Sequence, residues 1–134
     1  MDLDTAERLA RRAVEAAAGY GRPICVSVCD AQGFLVAFAR MAGAPVRSIA
    51  VSQAKAYTAA RIGVGTAAWH ERLAGLGYPA SYFADPLLTG LPGGAVLKDA
   101  GGGIAGGIGI SGLLPTEDQV IADLVAAEGI AGAG

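Results

Sequence analysis

Two pairs of short strand signals, each joined by a glycine-containing turn, indicate that this chain folds around an antiparallel sheet. Residues 24–30 alternate between two faces, and a short loop that ends in Gly33 separates them from residues 34–39. Two such runs joined by a short loop containing glycine are typical of a β-hairpin. Residues 95–98 and 104–110 form a similar pair around a glycine-rich turn. The sequence therefore predicts two hairpins and an antiparallel sheet.

Helical patterns precede, separate and follow the two hairpins. Asp4 and Glu7 resemble a capping pair at the start of the first helix. Small side chains recur through residues 48–62, which suits a helix that packs closely on a sheet. Further helices are predicted at residues 66–73 and 116–129. This order of elements predicts an α+β domain in which helices cover the faces of the sheet.

Composition and charge exclude several classes of protein. The 53% hydrophobic content excludes intrinsic disorder, and ten basic against twelve acidic residues argue against a nucleic-acid binder. The acidic start of the chain lacks the pattern of an export signal. The longest uncharged stretch, residues 100–116, is too rich in glycine for a membrane helix. We therefore expect a single cytoplasmic domain over residues 1–134, with no nucleic-acid or membrane partner.

Familiar cofactor and metal motifs do not account for the sequence. The glycine patterns that start at Gly101 and Gly107 fall in a hairpin, whereas a dinucleotide site needs a strand, a glycine turn and a helix. On one strand, Cys25 and Cys29 would lie about 13 Å apart, too far for a disulfide or a shared metal. His70 is the single histidine, and its charged neighbours favour a surface position over a ligand or base. No metal site is predicted.

Lys55 and the glycines that begin the second hairpin are candidates for an anion site. On a helix, Lys55 shares one face with Ser48 and other small residues, so its ammonium is expected near the sheet. After Pro92, the amides of Gly93 and Gly94 can form a concave nest for carboxylate oxygens. Two plainer interpretations stay open, namely a lysine that snorkels at a helix edge and a tight turn without a ligand.

A long connection and the end of the last strand add further candidates. Residues 75–92 carry prolines, glycines and the aromatic side chains of Tyr82 and Phe83, and long loops of this kind often line binding sites. Ser111 follows the last strand, where its hydroxyl can face a pocket. Asp118 is interpreted as a favourable charge at the start of the last helix.

Three stretches of the sequence together carry a family resemblance. The clearest is PGGAVL at residues 92–97, followed by GGIAGGIGISG at residues 102–112 and then by Asp118. The other two are AKAYTAAR at residues 54–61 and DAQG at residues 30–33. In these motifs and in the order of its elements, the chain resembles the GlcG/HbpS-like family, which includes the haem-binding domain at the C-terminus of the PduO proteins.

The resemblance implies a profilin-like three-layer α/β/α fold with a five-stranded antiparallel sheet, assembled as a homo-oligomer. It implies haem as a possible cofactor but no particular axial ligand, because haem-binding relatives do not share one ligand pattern. The chain departs from the family in two respects. It lacks the export signal of the secreted haem binders, and it has Ala95 where the family usually has proline.

Three functions are compatible with these observations. The first is a domain that binds haem or a similar anionic small molecule, with aromatic side chains over the ring and cations or amides on its carboxylates. The second is a cofactor-free lyase or isomerase for a small oxo or hydroxy acid, with Lys55 as the candidate catalytic residue. The third is a non-catalytic assembly subunit. The predicted ligand-binding residues are Arg40, Lys55, Tyr82, Phe83, Pro92, Gly93, Gly94 and Ser111.

Overall fold

A computed structural model describes residues 1–130 of the chain. The last four residues, and with them the predicted domain end at residue 134, lie outside the described residues. Helices and strands follow one another in the predicted order. They are α1 (Leu3–Ala17), β1 (Cys25–Asp30), β2 (Leu35–Arg40), α2 (Arg47–Ile62), α3 (Thr66–Leu76), β3 (Gly94–Lys98), β4 (Ile104–Ser111) and α4 (Pro115–Glu128).

The strands form one antiparallel sheet in the spatial order β2-β1-β4-β3. Cys25 lies at the centre of one row, opposite Arg40 on β2 and opposite Ser111 on β4. The two predicted hairpins are therefore confirmed, and the inner strands β1 and β4 join them side by side. Strands β2 and β3 form the two edges.

The prediction of five strands, which came from the family resemblance, is wrong for this chain. Within residues 1–130 the sheet has four strands. The longest connection, between α3 and β3, contains Pro79, Pro86 and Pro92, and proline has no N–H to donate to a strand ladder. That connection folds as a short 3-10 turn at Ala80–Phe83 and irregular backbone instead. The three-layer α/β/α arrangement agrees with the remainder of the prediction.

Helices α1 and α4 cover one face of the sheet. Leu9 of α1 packs in the same buried cluster as Val26 of β1, Ile108 of β4 and Val125 of α4. The predicted capping residue of α1 is wrong by two positions. The side chain of Asp2 accepts a hydrogen bond from the amide of Thr5 at 2.8 Å, so the helix begins at Leu3.

Helix α2 covers the opposite face and lies directly on a row of glycines. A Cβ atom added to Gly94, Gly107 or Gly109 would lie 2.0–2.5 Å from a backbone oxygen of α2. No side chain fits at those positions, which lets the helix backbone approach the strands closely. The close helix-to-sheet packing predicted for the small residues of α2 is confirmed. Helix α3 packs beside α2, and Trp69 and Leu73 are among its buried side chains.

The connection between α3 and β3 is tied to α2 by two hydrogen bonds. The hydroxyl of Tyr57 donates to Asp85 at 2.6 Å, and the amide of Thr89 donates to Oγ1 of Thr58 at 3.0 Å. These bonds fix the course of the connection across α2. In the described residues, no helix combines the length and the apolar character needed to cross a membrane.

Candidate functional site

Lys55 is buried at the end of the sheet, where it joins the helices on the two faces of the sheet. Its Nζ donates to the carbonyl oxygen of Ile110 at 2.8 Å and to Oδ2 of Asp118 at 3.0 Å. The second carboxylate oxygen of Asp118 accepts from the amide of Leu113 at 3.1 Å. The ion pair therefore connects α2 to the first turn of α4 around the end of β4. The predicted position of the ammonium against the sheet is confirmed.

Desolvation dominates the proton affinity of both members of this pair. Burial lowers the pKa of Lys55 from its ordinary value of 10.5, and the attraction of Asp118 offsets only part of that effect. Burial likewise raises the pKa of Asp118 from 3.8, against the influence of Lys55. With both polar ends engaged inside the protein, this geometry is that of a structural ion pair. The catalytic role considered for Lys55 stays a prediction.

Gly93 and Gly94 lie against Lys55, as the sequence predicted, but their amides are already paired. A Cβ atom on Gly93 would lie 2.6 Å from Nζ of Lys55, and its φ of +128° also favours glycine. Its amide donates to Oε1 of Gln119 at 2.6 Å, and the amide of Gly94 donates to Oγ1 of Thr66 at 2.7 Å. A ligand on these amides would have to displace both side chains.

Gln119 also belongs to the cluster around Lys55, Gly93 and Gly94, which we call the Lys55 corner, and it was not predicted from the sequence. Its Oε1 accepts from the amides of Gly93 and Ala67, and its Nε2 donates to the carbonyl oxygen of Gly94 at 2.9 Å. A side-chain amide suits this position because it has an acceptor and a donor to match a backbone N–H and C=O. Its place beside Asp118 near the start of α4 is the only sequence signal for it.

The remaining predicted ligand residues are spread over three places. Ser111 is buried at the end of β4, close in sequence to the oxygen that Lys55 contacts. Arg40 is exposed and lines a groove of about 770 Å³ between α1 and β2. The ring of Phe83 packs edge-on against Trp69 at 5.0 Å, and the ring of Tyr82 lies 5.3 Å from that of Tyr78. These two aromatics therefore lie beside α3.

A second depression in the surface lies between α2 and the edge strand β2. It has a volume of about 230 Å³ and a mainly apolar lining, to which Phe34, Leu35 and Ala54 contribute. Cys29 and Tyr57 are among its less apolar members. Burial raises the pKa of the Cys29 thiol to about 12, so this sulfur is a poor ligand or nucleophile near neutral pH. Its buried position agrees with the role of small apolar residue predicted for it.

A groove of about 420 Å³ runs along α3 and contains the single histidine of the chain. Nδ1 of His70 lies 2.9 Å from the carbonyl oxygen of Gly90. Leu73, Tyr78 and Pro79 supply much of the apolar lining, and small residues leave the groove open. The groove thus combines an oriented imidazole, aromatic surface and space. In residues 1–130, no three side chains of His, Cys, Asp or Glu are grouped as a metal site.

The fold and the grooves define a small three-layer α/β/α domain that presents apolar ligand-sized depressions beside its helices. The chain belongs to the family described as haem-degrading protein HbpS-like, whose sequence profile matches residues 1–127. The resemblance inferred from the sequence motifs is confirmed. No protein of curated function matches the chain in sequence.

Solved structures agree with this assignment. A double mutant of HbpS from Streptomyces reticuli is 31% identical, with a TM-score of 0.85 over 95% of this chain and 85% of that one. The complex of PduOC with heme is 28% identical, with a TM-score of 0.83 over 95% of this chain and 93% of that one. Protein ORFY of Klebsiella pneumoniae, at 23% identity and a TM-score of 0.85 over 100% and 92%, shares the fold.

Proposed function

We propose that this protein binds haem or a closely similar anionic porphyrin. The observation that carries the proposal is the likeness to PduOC, which was solved as a complex with heme and corresponds to 95% of this chain. The description of the family refers to haem as well. Binding of a small ligand related to haem is the function that these relatives support best.

We propose the groove along α3 as the haem site. Haem supplies a flat apolar ring, two propionates and an iron that takes an axial ligand from the protein. A site therefore needs apolar surface for the ring, a donor atom for the iron and an opening through which the propionates reach water. Leu73, Tyr78 and Pro79 offer the apolar surface, and His70 offers the donor.

Two of the predicted ligand residues are proposed to contact the bound ring. Tyr82 packs beside Tyr78, which lines the groove, and 69% of its surface is exposed. Phe83 packs on Trp69, the neighbour of His70 in α3. Exposed aromatic side chains beside an apolar groove provide a stacking surface for a planar ligand.

The residues around Lys55 are proposed to support the groove from within the fold. Gly90, whose carbonyl oxygen faces His70, precedes Gly93 by three residues. Gly93 in turn is held by Gln119 and packs against Lys55. The corner thus fixes the end of the segment that borders the groove, which explains these residues without direct ligand contact.

Titration of the purified protein with haemin, followed by absorbance, tests the proposal. We expect a saturable shift of the Soret band at micromolar haemin. Tyr82→Ser should weaken binding because it removes aromatic surface beside the groove. Leu124→Ser is the control, since Leu124 is 42% exposed but lies on α4, outside the residues that line the α3 groove. Absence of a saturable shift in the unmodified protein would overturn the proposal.

The lyase or isomerase alternative has no support from the relatives. Its candidate proton carrier, Lys55, has its Nζ within hydrogen-bond distance of Ile110 and Asp118, and the residue is 1% exposed. The haemin titration also distinguishes haem binding from the assembly-subunit alternative, because a subunit without a ligand would give no saturable shift.

We also propose that the protein is a homo-oligomer that associates through the free edge of β2. Leu35 and Phe38 of β2 are 49% and 36% exposed, and Phe34, just before the strand, is 66% exposed. An edge strand with apolar side chains and unpaired backbone groups is suited to pairing with another chain. Light scattering should give a mass above 13.3 kDa for the unmodified protein.

Two variants test this proposal, one with a lysine on the edge strand β2 and one with a lysine on α4. Leu35→Lys on β2 should lower the measured mass toward that of one chain, because a charge on the edge opposes association. Val120→Lys on α4, where the wild-type side chain is 57% exposed, should leave the mass unchanged. A single-chain mass for the unmodified protein would contradict the proposal.

A further inference from the structure

We propose that Nε2 of His70 is the protein's axial ligand to haem iron, an inference that rests on the haem-binding function proposed above. A carbonyl oxygen only accepts hydrogen bonds, so the contact of Nδ1 with Gly90 at 2.9 Å places the proton on Nδ1. In the neutral imidazole, Nε2 then carries the lone pair. Histidines that bind metals characteristically donate their second ring N–H in this way, which fixes the tautomer and the ring orientation.

The groove gives this nitrogen room for a large planar partner. His70 and Ala74 are exposed on α3, Gly77 caps the end of that helix, and Ala80 and Gly90 also line the groove. All but the histidine are small. Gly77 has a φ of +72°, which also makes glycine the favoured residue at the end of the helix. The imidazole of His70 and the phenol of Tyr78 are therefore the two large side chains with polar atoms among the residues that line this groove.

Several other side chains with donor atoms that iron accepts are poorly placed. Burial raises the pKa of the Cys25 and Cys29 thiols, which disfavours the thiolate form that binds metals. The hydroxyl of Tyr57 donates to a carboxylate, and that hydrogen bond raises its pKa. The sulfur of Met41 already accepts a backbone hydrogen bond. His70, Tyr78 of the same groove and the neighbouring Tyr82 are the candidates that the experiment below separates.

The test compares haemin with metal-free protoporphyrin IX, which has the same ring and propionates but no iron. His70→Ala should weaken haemin binding about tenfold or more and change the Soret maximum and the electron paramagnetic resonance spectrum. The affinity for protoporphyrin IX should stay essentially unchanged. Added imidazole should restore the spectrum of the unmodified protein in this variant. Glu71→Ala, at the next position on α3, is the matched control and should behave as the unmodified protein.

The outcomes separate this inference from the proposed function. If the unmodified protein gives no saturable haemin shift, both fail. If it binds haemin and His70→Ala keeps the same spectrum, the protein binds haem through another ligand and the inference about His70 is wrong. An equal loss of haemin and protoporphyrin IX in His70→Ala would mean that the imidazole packs against the ring without binding iron. Loss of the spectrum in Tyr78→Phe or Tyr82→Phe, with His70→Ala unchanged, would assign the ligand to a tyrosine.

Discussion

Nζ of Lys55 lies 3.0 Å from Oδ2 of Asp118, and each of these residues is only 1% exposed. Removal of one partner leaves the other as an uncompensated buried charge, which typically costs about 3–5 kcal/mol. We therefore expect Lys55→Met and Asp118→Asn each to lower the free energy of unfolding by about that amount. Urea unfolding followed by circular dichroism measures the loss.

The double variant tests whether the charges or the packing matter. Lys55→Met combined with Asp118→Asn removes both charges, and asparagine keeps an oxygen for the amide of Leu113, so the loss should be well below the sum of the two single losses. The exposed pair of Arg12 and Glu128 is the control, and Glu128→Gln should cost below about 1 kcal/mol. Additive losses in the double variant would show that the two charges do not stabilise each other.

The thiol of Cys29 should make the protein sensitive to alkali. Burial raises its pKa from 9.0 to about 12, so between these values the unfolded chain releases a proton that the folded chain retains. The free energy of unfolding therefore falls as the pH rises through this window, by about 1.4 kcal/mol per pH unit from this group. Cys29→Ala should remove that part of the slope. Identical slopes for the two proteins would mean that the thiol ionises freely in the fold.

Gly109 should tolerate no side chain, because α2 lies directly on it. A Cβ atom there would be 2.0 Å from the carbonyl oxygen of Ser52. We expect Gly109→Ala to cost about 3 kcal/mol or more in thermal or urea unfolding, since the helix must move off the sheet. The same substitution at Gly75 of α3 meets no atom within 4 Å and should stabilise the helix by up to about 1 kcal/mol. Equal effects at the two glycines would contradict this account of the helix-to-sheet contact.

The order of helices and strands was predictable because its signals are local. Strand alternation, glycine turns and the recurrence of small residues in α2 all act within a few positions of the chain. The five-stranded sheet was an expectation from relatives, and the prolines between α3 and β3 in this chain do not support an added strand. Local patterning therefore described the sheet better than the resemblance did.

The Lys55 corner was predicted in part. The sequence placed Lys55 near the sheet and near Gly93, which the structure shows. It interpreted Asp118 as a charge at a helix start, whereas the carboxylate also pairs with Lys55 from a distance of 63 residues in the chain. It gave no indication that Gln119 fills the space over the glycine amides. Which distant side chain occupies such a space depends on the packing of α4, and no local pattern encodes it.

Gln119→Glu should turn this corner into a pH-sensitive one. A carboxylate keeps the acceptor for the amide of Gly93 but loses the Nε2 donor to the carbonyl oxygen of Gly94. Nε2 also donates to Asp123 at 2.8 Å, so a carboxylate oxygen in its place would repel that side chain. We expect a loss of about 2–3 kcal/mol in the free energy of unfolding near neutral pH. Gln53→Glu is the control, because Gln53 is exposed on α2 and the same change should have little effect.

The pH dependence of the Gln119→Glu variant follows from the raised pKa expected for its new carboxyl. Burial and the nearby Asp123 both disfavour ionisation, so the folded state holds a proton that the unfolded chain releases near its ordinary pKa of about 4.3. The lost stability should therefore return as the pH falls through the folded pKa, because a protonated glutamate again donates to Gly94. Urea unfolding at neutral and mildly acidic pH measures this recovery. A deficit that stays constant between the two conditions would show that the donor to Gly94 contributes little to the corner.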